Sequence, residues 1–385
     1  MRPIVRHALR IYFSDVQVQG LEKIGTPGPR ILTCNHPASF MEACLLACFL
    51  PRSVYFLTRG DVMKSKRLLW FFYNTHQIPI YRFRDGYSDM RKNVDSFRQC
   101  YEVLEDGATL VIFVEGSTSM VKHLRKPKMG FGRIAFGALS RKGGLTSLPI
   151  TAVGVNLQSA TIGGGYAAIQ FGETLECSDY LADYQINPRE TLKACTEKIH
   201  AMMQPCIIHL DDVSKEPLLN EIIDSAEILM INTHDRVLRD QQYAYHIDDL
   251  DVSSSAPVSR RVCRPPEGII EQLQNALLML CHYTIGVPSI VSRKLAEHLI
   301  DQPEFSAPLR IGLAILMFPV WLGGAYLVSY LIDPRLAVFA VMMTVLYLVL
   351  WKVAAVHCAE VFPRGRAHYQ EVEDLQEDIN QLMLS

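Results

Sequence analysis

The ten cysteines include no Cys-x-x-Cys pair, and none stands at zinc-finger spacing from a histidine. Neither a disulfide framework nor a structural zinc module is therefore expected, and the cysteines read as reduced, mostly buried thiols on the cytoplasmic side. Net charge is also scarce: 38 Lys and Arg oppose 40 Asp and Glu, a formal balance of −2. The whole chain is thus no polycation built for nucleic acid, and no such partner is expected. An apolar share of 49% rules out a disordered or fibrous chain, and no internal repeat or low-complexity tract occurs. The opening MRPIVRHALRIYF carries Arg2, Arg6 and Arg10, so it holds no uninterrupted apolar core of a secretory signal, and the bulk of the chain is expected to stay cytoplasmic. A length of 385 residues suggests about two globular units, at one per ~150 residues.

Long uncharged stretches lie toward the other end. Ile311 to Ile332 carries no charge, and at ~1.5 Å per residue it reaches ~33 Å, enough to cross a bilayer core. After Asp333, Pro334 and Arg335, Leu336 to Val356 is expected to return, with Lys352 near its end where its long side chain can snorkel. Arg310 before this hairpin, and Lys352, Arg364 and Arg366 at its end or after it, outnumber Arg335 in the turn, which puts both ends on the cytoplasmic face.

The remainder divides by pattern. Residues 1–210 alternate strand and helix signals, with strands expected at Arg30–Cys34, Val54–Leu57, Thr109–Val114, Leu148–Val155 and Ala167–Phe171. Helical spacing appears at Met41–Leu50, Lys66–Tyr73, Val94–Glu105 and Gly132–Ser140. Residues 211–305 read as helical, with a Ser/Pro/Arg-rich linker near 252–266. Residues 306–358 hold the hairpin, and 359–385 form a cytoplasmic tail with Val372, Leu375, Ile379 and Leu382 on one helical face.

Four segments carry chemistry. In the first, Asn35-His36-Pro37 follows a strand, and Glu42 lies six residues beyond the histidine. A histidine titrates near neutrality, and a nearby carboxylate can fix its tautomer, so His36 and Glu42 form a candidate proton-transfer dyad. Ser39 and Glu42 equally fit a capping box, with Ser39 as N-cap, and the two readings are compatible. The second segment, Gln77 to Arg82, is an apolar strand ending in a cation; the third, Leu110 to Ser119, opens from a buried strand into a Gly/Ser turn whose amides can hold an anion. Lys122, Arg125, Lys126, Lys128 and Arg133 follow it. Leu148 to Gly154, the fourth, is a core strand. Residues 52–142 hold 17 Lys and Arg against 8 Asp and Glu, a local balance of +9, and Lys66 to Tyr73 mixes cations with aromatics as membrane-interface segments do.

In this order and spacing, over roughly residues 30–175, the segments resemble the glycerophospholipid acyltransferase family, the lysophosphatidate and glycerol-3-phosphate acyltransferases. Tyr55 to Asp61 and Ile78 to Arg82 are especially similar to a bacterial branch, and Phe171-Gly172-Glu173 looks like the family's domain ending. The resemblance implies an α/β fold with a central mixed sheet flanked by helices, followed here by a helical region and a transmembrane helical hairpin. It implies His36 as general base and Glu42 as its orienting acid. The acceptor site would draw on Asn35, Arg82, Glu115, Gly116 and Ser117. The expected acyl donor is acyl-CoA or acyl carrier protein, the acceptor a lysophospholipid, foremost 1-acyl-glycerol-3-phosphate, at a lipid bilayer; no metal or cofactor is required.

Several residues depart from the family pattern. Five residues, where four are usual, separate His36 from its acid, which is Glu in place of Asp. Val114 replaces a proline, and Ser117-Thr118-Ser119 lacks the arginine expected near the acceptor phosphate, leaving Arg125 or Lys128 to take that role. A phosphate-free acceptor, such as an acyl-amino-acid lipid, is the alternative, and a non-catalytic membrane-tethered lipid-binding protein the alternative outside enzymes. The expected location is the cytoplasmic face of the bacterial inner membrane.

Overall fold

A computed structural model describes residues 2–25, 27–60, 70, 72–81, 91–161, 163–225, 233–249, 269–299 and 305–357. Seven strands in these residues form one sheet: β1 (Asp15–Gln19), β2 (Arg30–Cys34), β3 (Val54–Arg59), β4 (Gln77–Ile80), β5 (Thr109–Phe113), β6 (Pro149–Leu157) and β7 (Tyr166–Glu176). Their order is β1-β7-β6-β2-β5-β3-β4. All neighbours run parallel except β6 and β7, so the sheet is mixed, as expected. The central β2, Arg-Ile-Leu-Thr-Cys, is buried along its whole length, which is why its sequence shows no apolar–polar alternation. At the outer edge, β4 carries Pro79, and a residue without an N–H is tolerated only where no further strand must pair.

Helices cover both faces. One face holds α1 (Arg2–Tyr12) and α2 (Met41–Phe49), and the other α3 (Asn93–Glu105), α4 (Gly130–Leu139) and α6 (Pro188–Met203), with α5 (Leu181–Ile186) at its margin. Side chains of β2 alternate accordingly, Ile31 into the second core and Leu32 into the first. The helix after β2 therefore covers one face and the helix after β5 the other. These strands are neighbours, so a crevice opens at their carboxyl ends.

Helices α1, α5 and α6 and strand β1 were not anticipated. Helix α1 places Arg6 and Arg10 over the Phe49 ring, at 5.1 and 5.8 Å, and β1 is a half-buried edge strand too polar to stand out as apolar text. The packed unit also continues past the boundary expected near 210. Helices α7 (Glu216–Ser225) and α8 (Thr233–Asp249) bury Leu219, Ile222, Val237 and Tyr243 against Tyr166 and Ala168 of β7. The linker near 252–266, the tail 359–385 and most of the helix expected at Lys66–Tyr73 lie outside the described residues.

Beyond these, α9 (Ile269–Thr284) and α10 (Val287–Leu299) lead to α11 (Ser306–Ile332) and α12 (Pro334–His357). The last two pack against each other and turn at Asp333, whose carboxylate accepts from the Arg335 amide at 2.8 Å. Helix α11 is long and apolar enough to cross a membrane by length and composition, and little of it is buried in the protein. Its first turns rest on the domain: Ala307 and Ile311 join the α1–α2 core, and Arg310 donates to the Thr161 carbonyl at 3.2 Å.

Seven cysteines among the described residues are free thiols, six of them buried. Burial pushes Cys44 and Cys100 up to about 12, so these thiols stay protonated at neutral pH. In β6, a Cβ on Gly154 would stand 2.0 Å from the Cys206 carbonyl oxygen. Gly154→Ala is expected to destabilise the fold by about 1–3 kcal/mol through this overpacking, read as a lowered Tm in detergent solution.

Candidate active site

The crevice between the ends of β2 and β5 is built from backbone commitments. Asn35 continues the β2–β6 ladder with its side chain: its Oδ1 accepts from the Val155 amide at 2.8 Å, and its Nδ2 donates to the Val155 carbonyl at 3.0 Å. The backbone is thereby released to turn toward the cleft. At the next residue, His36 stacks on Phe113, the last residue of β5, with ring centroids 4.4 Å apart. The His36 carbonyl accepts from the Ser119 amide at 3.0 Å, and the Cys34 carbonyl from Val114 at 3.1 Å. These bonds tie the first and third chemical segments together.

His36 and Glu42 meet. The Nδ1 of His36 hydrogen-bonds Oε1 of Glu42, a residue in the first turn of α2 whose side chain is fully buried. With Glu42 as a carboxylate, which only accepts, Nδ1 would carry the proton and Nε2 would keep a lone pair. The six-residue separation and the longer acid therefore still close the dyad. The helix N-terminus favours the carboxylate charge. Glu42 Oε2 is buried and has no hydrogen-bond partner among the described residues.

The capping box does not form. Phe40 occupies the N-cap position without a side-chain bond, and Ser39 sits in the left-handed region at φ +55°, its hydroxyl 3.0 Å from that of Thr118. Glu42 cannot reach back to cap the helix because the histidine holds it. The Phe40 and Met41 amides both turn to the Ala38 carbonyl.

In the third segment, Gly116 takes φ +74°, a conformation that favours glycine, and turns the chain after Glu115. Glu115 is buried and paired with Arg125, whose Nη2 and Nε lie 2.5 and 3.1 Å from its Oε2. Arg125 also donates to the Ser117 hydroxyl at 2.9 Å and to the Ser117 carbonyl. Arg125 is thus committed to shaping the turn. Lys128 is exposed, its stem lies against Gly116, and its ammonium makes no hydrogen bond or ion pair among the described residues. The Ser117 and Thr118 amides likewise have no partner there, whereas Gly116 and Ser119 donate to Phe113 and His36. Arg82 lies outside the described residues.

The cleft wall also includes residues that sequence reading passed over: Met120, Val121, His123, Ile207 and Ile208 beside His36 and Glu115. A strap holds this wall. Lys122 donates through its amide to Glu216 at 2.9 Å and through Nζ to Asn220, both in α7. Leu124 donates to Nδ1 of His209 at 2.8 Å, and burial, aided by the nearby His123 ring, lowers the His209 pKa and keeps that nitrogen an acceptor. Only the density of cations near 122–128 hinted at this loop. Cys34 is no nucleophile: burial first, then the charges of Glu42 and Glu115, hold its thiol well above the ordinary range.

Residues 15–155 match the family model described as Acyltransferase. The chain is similar to the chloroplastic 1-acyl-sn-glycerol-3-phosphate acyltransferases of Arabidopsis thaliana and Brassica napus. Each is 28% identical over 149 residues, 38% of this chain and respectively 38% and 40% of theirs. The matched region thus spans about two fifths of those relatives. A crystal structure titled as the 1-acyl-sn-glycerophosphate acyltransferase PlsC of Thermotoga maritima aligns at 19% identity and TM-score 0.39, covering 53% of this chain and 76% of that one.

Asn35→Ala would strand the buried Val155 amide and carbonyl. We expect a loss of stability on the order of 2 kcal/mol, measured by thermal unfolding, while Asn35→Asp keeps the acceptor and loses less.

Proposed function

We propose, from the match of residues 15–155 to the Acyltransferase family model, that the chain transfers a fatty acyl group from a thioester to a hydroxyl of a lysophospholipid, foremost 1-acyl-glycerol-3-phosphate. The observation that carries this reading is the His36–Glu42 dyad facing a cleft at the end of the central strands.

In this reaction His36 Nε2 takes the acceptor's hydroxyl proton as the oxygen attacks the thioester carbonyl. The C–S bond then breaks, and the leaving thiolate receives that proton from the imidazolium. Glu42 stabilises the imidazolium while it exists, a charge absent from the ground state, so its contribution falls on the transition state. No covalent acyl-enzyme intermediate enters. The donor is acyl-CoA or acyl carrier protein. Lys128 and the unpaired Ser117 and Thr118 amides are the groups best suited to hold the acceptor's phosphate, with Arg125 fixing the turn that presents them. Of the two cations expected for that role, this assignment keeps Lys128 and leaves Arg125 to shape the turn. Asn35 and Glu115 act as positioning residues.

Helices α11 and α12 anchor the domain as a bilayer-spanning hairpin, with the catalytic face toward the cytoplasm of a bacterial inner membrane. Supporting this, Arg310 in α11 binds the carbonyl of Thr161, next to Ala160 of the cleft wall.

Two measurements test the reading, with purified protein in mixed micelles, acyl-CoA or acyl carrier protein as donor, and lysophosphatidate as acceptor. His36→Ala is expected to lower kcat/KM by about 10²–10⁴-fold, with Glu42→Gln also impaired; wild-type turnover that survives His36→Ala would sink the mechanism. Lys128→Ala is expected to raise KM for lysophosphatidate with kcat little changed. An unaltered KM removes Lys128 from the acceptor site, and turnover only with a phosphate-free monoacyl acceptor replaces the acceptor proposed above.

A further inference from the structure

We propose that α9 and α10 form a re-entrant hairpin, which dips into the acyl chains beside α11 and α12 and turns back without crossing. The inference rests on reading α11 and α12 as bilayer-spanning, and adds a second lipid-embedded element that hydropathy alone does not single out.

Depth is the first ground. Helix α10 runs along α11, and α9 along α12. Their turn meets α12 at Tyr347, whose hydroxyl lies 3.2 Å from Nδ1 of His282. Gly286 packs so closely that a Cβ there would stand 2.6 Å from the same hydroxyl. Tyr347 is about 15 Å along α12 from its domain-side end, His357, and about 20 Å from the far end at Pro334, taking ~1.5 Å per residue. The turn therefore reaches the middle of a helix of bilayer length.

Charge distribution is the second ground. From Ala276 through Ser292 the sequence contains no Asp, Glu, Lys or Arg; charges return at Glu271 on one arm and at Arg293, Lys294 and Glu297 on the other. The hairpin is thus charged at its base and uncharged around its turn. His282, next to the turn, has the Tyr347 hydroxyl as partner, the arrangement that a polar side chain inside a bilayer requires.

Exposure is the third. Leu280 and Tyr283 are 59% and 69% exposed, and Leu277 and Val291 are exposed as well, all close to the turn. The patch continues onto the exposed apolar surface of α11 and α12, where Leu316 and Val320 are 70% and 76% exposed. That continuity selects acyl chains as the occupant. Ser292 and Ala296, four residues apart and buried, give α10 the small-residue face that permits close helix packing in lipid. The turn's backbone lies against protein and is partly bonded, Ser289 donating to the Gly286 carbonyl at 2.9 Å, which satisfies the condition for non-spanning backbone at membrane depth.

The test uses the full chain reconstituted in phosphatidylcholine–phosphatidylglycerol vesicles. An environment-sensitive fluorescent amino acid replaces Tyr283, Val328 or Tyr245 by stop-codon suppression. Nitroxide-bearing phosphatidylcholine then serves as quencher. Positions 283 and 328 are expected to lose most of their emission to nitroxides on the acyl chains, while 245, exposed on α8, retains it. Quenching at 328 with none at 283 overturns the re-entrant hairpin and leaves the spanning pair intact. Absence of quenching at both removes the spanning reading and this inference with it. Emission at 283 that follows protein-to-lipid ratio in place of nitroxide assigns the patch to a second copy of the chain, and also overturns the proposal.

Discussion

The pairing of the Asn35 side chain with both backbone groups of Val155 is the constraint from which the site follows. A strand at the centre of a sheet must keep its backbone paired on both sides, yet a reactive histidine must leave the ladder to face a cleft. Asn35 resolves the conflict by lending its amide to β6 for one further step. Its neighbour His36 is then free to lie on Phe113 of β5 and turn Nδ1 toward α2. The third segment is fixed to this point in turn, because the His36 carbonyl accepts from Ser119.

Burial of Glu42 sets the electrical character of the pair. A carboxylate out of water, with one oxygen lacking a partner, is a poor ground-state arrangement unless a cation forms beside it. In the proposed proton transfer, the imidazolium of His36 would be that cation. Arg125 and Glu115 follow the opposite logic. There the two side chains already face each other, which braces the turn at Gly116 and, on the proposed function, would leave phosphate recognition to groups not so engaged.

Much of this was legible in the sequence. Strands β2, β5 and β6 announce themselves because a strand covered on both faces has no reason to alternate. The dyad was readable as two residue types at a plausible separation, although only the fold could show that Glu42 pairs with His36 and does not cap the helix. What escaped were features made by distant residues. The half-buried β1 has a weak pattern, and α1 carries cations that pack on Phe49, so neither looks like core. The strap from Lys122 to α7 joins positions roughly a hundred residues apart, and no local propensity encodes such a bond. Arg125 was legible as a nearby cation, but its engagement with Glu115 depends on the loop's path.

The anchorage of α11 on Thr161, beside a residue of the cleft wall, has a kinetic consequence. On the proposed function, a substrate confined to a leaflet would search in two dimensions for an entrance held at a fixed height by the same arginine that fastens the helix. Encounter would then scale with the density of substrate per unit of surface and not with its concentration in the surrounding solution, so diluting the vesicles while keeping their composition constant would leave the rate per enzyme unchanged.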